Sequence, residues 1–118
     1  MSLHIDLATA AGEEFAGRLA AAPELRQDAL LLTLRDGTSI EIRYAAADAY
    51  SLSWQRQGVW GRVDTAPCHP GLATWPNHFH AGDGTVHSDP LTRCGADPRQ
   101  NLRALLQALA ANSAMLGH

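Results

Sequence analysis

Two runs of strict alternation in the middle of the chain limit its fold more than any other feature. Between Thr38 and Tyr44, the apolar Ile40, Ile42 and Tyr44 alternate with Ser39, Glu41 and Arg43; between Tyr50 and Gln55, Tyr50, Leu52 and Trp54 alternate with Ser51, Ser53 and Gln55. Successive side chains of a strand point to opposite faces, so each run has one apolar and one polar face. A sheet buried on one side and wet on the other satisfies both runs. Before them, Asp28 to Arg35 holds three consecutive leucines and Leu34, an apolar run with side chains on both faces that predicts a central strand. Asp36-Gly37 supplies the hairpin turn between the two. A further turn at Gln57-Gly58 leads into Val59 to Asp64. With Val59, Gly61 and Val63 toward the core, Trp60, Arg62 and Asp64 share the polar face. A tryptophan and an arginine on a wet face point to a cover, either a loop, a dimer contact or a substrate.

Helices flank this meander. Ala8, Ala11, Phe15 and Leu19 recur at helical spacing between Ala8 and Ala22, with Glu13, Glu14 and Arg18 elsewhere on the wheel and Pro23 as the stop. Leu3, Ile5 and Leu7 fit either an extended lead-in or an earlier turn of the same helix. Asp97-Pro98 is a strong helix start, with Leu102, Leu105, Leu106 and Leu109 as the buried stripe, Arg99 and Arg103 outside, and Gly117 as the stop. Thr65 to Ala81 has no period and four turn formers, Pro67, Pro70, Gly71 and Pro76, so it reads as an ordered irregular loop. Gly82-Asp83-Gly84 then turns into a short strand around Thr85 to Ser88. The expected fold is α+β: a single domain over residues 1–118, with an antiparallel β-meander of about four to five strands, an N-terminal helix and a C-terminal helix.

Charge narrows the function. All nine cations are arginine and the net charge is −3, which excludes a uniformly basic nucleic-acid binder and leaves room for a local arginine patch. No apolar run reaches membrane-spanning length, and Asp6 stands where a signal peptide needs positive charge, so a cytoplasmic protein is expected. Cys68 and Cys94 read as free thiols rather than a disulfide.

The chemistry concentrates between Asp64 and His87. Four of the six histidines lie there, together with Cys68 and three of the six prolines. Asp64, Cys68, His69, His78, His80, Asp83 and His87 are all metal-capable, and His78-x-His80 in extended backbone points both imidazoles to one side, so a divalent ion such as zinc is one reading, with His69, His78 and His80 as its ligands. The spacing matches no tight metal motif. The other reading is metal-independent, ribonuclease-like acid–base chemistry, with two histidines trading a proton, Arg62 holding a phosphate and Asp64 orienting a histidine. Asp64 as a turn cap and Arg62 as half of a surface ion pair are the plainer alternatives. Cys68 fits a small buried thiol better than a nucleophile, because sequence neighbours on an extended chain point apart and His69 is its neighbour. Trp75 beside Pro76 offers a face for a nucleobase, or packing that stiffens the loop.

The stretch Asp64-Thr-Ala-Pro67-Cys-His69-Pro, followed by Thr74-Trp-Pro76-Asn-His78-Phe-His80, resembles the TumE-like family of small bacterial proteins described as toxins of toxin–antitoxin pairs. That family's pattern reads Asp-Asn-Ala-Pro-His-His-Pro, then Thr-Phe-Pro-His-His-x-His. Asp64, Pro67, His69, Pro70, Thr74, Pro76, His78 and His80 match; Thr65 stands in place of asparagine, and Cys68 and Asn77 in place of histidines. The resemblance covers roughly Leu30 to His87 with a shared helical tail. It implies a helix-turn-helix antitoxin as partner and points to an activity on RNA, with His69, His78 and His80 as its carriers; the reading of the residues themselves adds Asp64 to that catalytic set, puts Arg62, Trp60 and Trp75 on the substrate, and leaves a homodimer open. Two other functions stay open: a non-enzymatic interaction domain, marked by loop histidines buried against backbone with no open pocket, and a metalloprotein.

Overall fold

The computed structural model describes residues 3–111. Helix α1 (Leu3–Glu14) is followed by a short 3-10 turn (Ala16–Arg18) and seven strands, β1 (Glu24–Arg26), β2 (Ala29–Thr33), β3 (Ser39–Ala46), β4 (Ala49–Arg56), β5 (Val59–Asp64), β6 (His78–Ala81) and β7 (Val86–Ser88), before helix α2 (Pro98–Ala111). The strands form one antiparallel sheet in sequence order. The α+β meander is as expected; its strand count is seven rather than four to five. The two additions are β1, three exposed residues pairing Glu24 with Leu31, and β6, which lies inside the segment expected to be an irregular loop.

The two alternating runs are the paired centre of the sheet, with Ile40 opposite Trp54 and Ile42 opposite Leu52. Their apolar faces, with Leu30, Leu32, Val63, Phe79 and Ala81, meet Leu7 and Ala11 of α1 and Leu102, Leu105, Leu106 and Leu109 of α2 in one core. The N-terminal helix is shifted from its expected span. Leu3, Ile5 and Leu7 belong to its first turns, and it stops at Glu14, so that Leu19 pairs with Leu34 in an isolated bridge instead of continuing the helix. The Gly117 stop lies outside the described residues.

The turns follow local chemistry. Gln57 and Gly58 both take positive φ, 52° and 81°, as a two-residue hairpin with the right twist requires. At Asp36-Gly37 only Gly37 does so. Gly61, opposite Trp54, has a second reason to lack a side chain: a Cβ there would lie 2.6 Å from the Trp54 ring. Val59, expected toward the core, is 43% exposed.

Candidate functional site

Both helices pack on one face of the sheet, which leaves the other open. Cross-strand register then decides what gathers there. Asp64 of β5 pairs with His78 of β6 and Arg62 with His80, while Ser51 and Ser53 of β4 stand opposite Asp64 and Arg62 on the other side. Directly opposed residues share a face with Cβ atoms roughly 5 Å apart. Thus Arg62, Asp64, His78 and His80 form a four-residue patch that the sheet itself holds in place.

Asp64 is its centre. Oδ1 lies 2.9 Å from His78 Nε2 and accepts the Ala66 amide at 3.0 Å; Oδ2 lies 3.0 Å from Arg62 Nε and 3.4 Å from His80 Nε2. Asp64 and His78 are 8% and 2% exposed, whereas His80 is half-buried and Arg62 largely in solvent. His78 is fixed at both ring nitrogens, since its Nδ1 stands 3.1 Å from the Pro76 carbonyl. Partial burial, and then the positive charge of Arg62, hold the His80 imidazole below the ordinary histidine pKa. His69 comes from the loop between β5 and β6, with its ring 4.9 Å from that of His78 and 6.1 Å from that of His80. It lines a shallow depression of about 330 Å3 with Cys68, Pro70, Gly71, Leu72 and Val86. On the opposite side of the cluster a groove of about 370 Å3 runs along the open face past Arg62, Trp60, Ser53, Gln55 and Glu41. Arg62 thus lines one concavity and His69 the other.

Among the described residues, the group with metal-ligand geometry is Asp64, His78 and His80, whose donor atoms lie within 4.8 Å of one another. The ligand set expected from the sequence has His69 where this group has Asp64. Other sequence candidates separate from the cluster. Asp83 is spent on its own turn, accepting from the Thr85 amide and hydroxyl. His87 contacts Phe79 and the Thr85 hydroxyl, and strand alternation turns it away from His78 and His80. Cys68 is exposed, against the expectation of a buried thiol, because the loop turns it to the rim of the depression; Cys68 and Cys94 are both free. Trp60 and Trp75 are 40% and 49% exposed, so neither is absorbed by packing.

Two of the three departures from the family pattern have structural partners. Asn77 is buried on the helix side of the sheet, where its amide donates to the Tyr50 hydroxyl at 2.8 Å and to Asp89 at 3.0 Å. Thr65 bonds the Tyr50 amide through its hydroxyl. Neither points into the cluster, so His69, His78 and His80 stand together without them. Sequence reading had no signal for the Asn77, Asp89, Thr92 and Tyr50 network, because its members come from three distant stretches.

A family model described as toxin TumE matches residues 13–112. No curated protein and no solved structure matches the chain. No helix among the described residues is long and apolar enough to cross a membrane.

Proposed function

Because this chain belongs to the TumE family of toxins, we propose that it is the toxin of a toxin–antitoxin pair and acts on RNA at the histidine cluster of its open sheet face. The observation that carries the reading is the gathering of Arg62, Asp64, His78, His80 and His69 at one place on the sheet face that the helices leave uncovered, with Arg62 lining one concavity and His69 another. A phosphodiester lying across the cluster meets a cation in Arg62, whose guanidinium is the natural partner of a phosphate oxygen. His69 and His80 flank the scissile bond. One takes the proton of the ribose 2′-hydroxyl as its oxygen attacks phosphorus, and the other protonates the departing 5′-oxygen, leaving a 2′,3′-cyclic phosphate and a free 5′-hydroxyl. Arg62 balances the negative charge that builds on the phosphoryl oxygens.

Asp64 and His78 are positioning residues in this scheme. Buried and 2.9 Å apart, they fix the plane against which His80 and Arg62 are set. Trp60, along the strand from Arg62, and Trp75 offer exposed aromatic faces on which bases of a single strand stack. Membership of a toxin family implies an antitoxin partner; a helix-turn-helix protein and a cytoplasmic setting complete the proposal. The interaction-domain reading has one point in its favour, the burial of His78 against the Pro76 carbonyl, but His69 and His80 do not share it.

Inducible expression in a bacterial host tests the proposal. Growth should arrest with the wild-type chain and continue with His69→Ala or His80→Ala at equal protein level. Unimpaired growth with the wild type, or arrest that survives both substitutions, would exclude it.

A further inference from the structure

A neutral His78 beside an ionised Asp64 is one proton short of hydrogen-bonding at both ring nitrogens. A neutral imidazole carries one N–H. The Pro76 carbonyl can only accept, so its 3.1 Å contact places that proton on Nδ1. Nε2 then directs a lone pair at Asp64 Oδ1, 2.9 Å away, and a carboxylate oxygen has only lone pairs to offer in return. Two acceptors at that distance, in a place almost closed to water, need either a further proton between them or a metal ion beside them. His80 Nε2 stands 3.4 Å from the second oxygen of the same carboxylate. The Pro76 contact is also the support a metal-bound histidine normally has, its free N–H given to a backbone carbonyl.

We infer that Asp64, His78 and His80 bind one divalent transition-metal ion of the zinc class. Two imidazole nitrogens and a carboxylate oxygen are the donor types and the number that zinc and its first-row neighbours take while keeping a position open. Ligand bonds of about 2.0–2.2 Å in tetrahedral geometry mean that His80, in a group whose donor atoms lie within 4.8 Å of one another, draws inward while the 2.9 Å His78–Asp64 pair opens slightly around the ion. His80 has the freedom to do so because it is half-buried. Arg62 opposes binding: its guanidinium already neutralises Asp64 Oδ2 at 3.0 Å and must give up part of that contact. The ion site does not depend on what the toxin acts on. It does bear on when the toxin acts, because metal and proton compete for the same Nε2 lone pair of His80, and an ion-loaded site cannot use that histidine for proton transfer.

Titration calorimetry of chelator-treated protein with zinc chloride tests the inference directly. One ion per chain is expected. His80→Ala and Asp64→Asn should each weaken binding by roughly ten-fold or more, and Arg62→Ala should strengthen it; circular dichroism establishes that each variant is folded, and His80→Ala, at a half-buried position, serves if Asp64→Asn is not. The inference is overturned if the wild type shows no saturable binding, or if His80→Ala binds zinc as tightly as the wild type does, which would place the ion elsewhere.

Discussion

Neighbouring residues of a strand face opposite ways, and Asn77 and His78 divide framework from site on that basis. His78 joins Asp64 on the open face, whereas Asn77 ties the loop before β6 to Tyr50, Asp89 and Thr92 on the helix side. Losing a buried, multiply bonded amide leaves the Asp89 carboxylate short of a donor, at a cost of about 1–3 kcal/mol. Asn77→Ala should therefore lower the midpoint of denaturant unfolding while leaving zinc affinity near the wild-type value. Gly61 offers a second check. A methyl group at Gly61 would press on the buried Trp54 ring, which has no room to withdraw, so Gly61→Ala should cost about 1–3 kcal/mol in the same assay. Arg62 and Asp64 on the same strand face follow from period two alone, whereas His78 and His80 share a face only once their stretch is extended, which the expected loop did not provide. The role of the Asn77 side chain was not legible in the sequence, since each partner of its amide lies at least 12 residues away.

Among the elements, the hairpins formed where alternation and turn chemistry agreed, at β2–β3, β3–β4 and β4–β5. Strand β6 was hidden because it is four residues long, follows a proline-rich loop and is buried on both faces, so its sequence lacks the polar alternation of its neighbours. Strand β1 was hidden because all three of its residues are exposed and two are charged. Its pairing with β2 rests on backbone hydrogen bonds that no side-chain pattern announces. The β6–β7 turn makes a prediction about pH. The hydroxyl and then the amide of Thr85 hold the Asp83 carboxyl below its ordinary pKa of 3.8. A carboxyl depressed on folding adds stability above its unfolded pKa and loses it as the pH falls through the folded value. Asp83→Asn should accordingly show a shallower loss of melting temperature on acidification below about pH 4 than the wild type, with the two curves parallel near neutrality. In α2, Leu105→Ala removes a wholly buried side chain from the core and should cost about 2–5 kcal/mol.

On the scale of the whole molecule, packing both helices on one face is what makes a site possible. The covered face holds the apolar halves of the alternating runs, and the uncovered one holds their polar halves, extended by the register of β5 and β6 into Arg62, Asp64, His78 and His80. One sided burial was written in the alternation. That the histidine loop would dock beside the same open face was not, because it depends on β6 pairing with β5. The central claim is that this face cleaves RNA by proton transfer, and the direct measurement is incubation of the purified chain with a labelled single-stranded RNA in excess chelator, with products resolved on a gel. Cleavage to fragments ending in 2′,3′-cyclic phosphate is expected, suppressed by at least about a hundred-fold in His80→Ala and inhibited when zinc replaces the chelator. An RNA left intact by the wild type, or cut equally by His80→Ala, would contradict the claim.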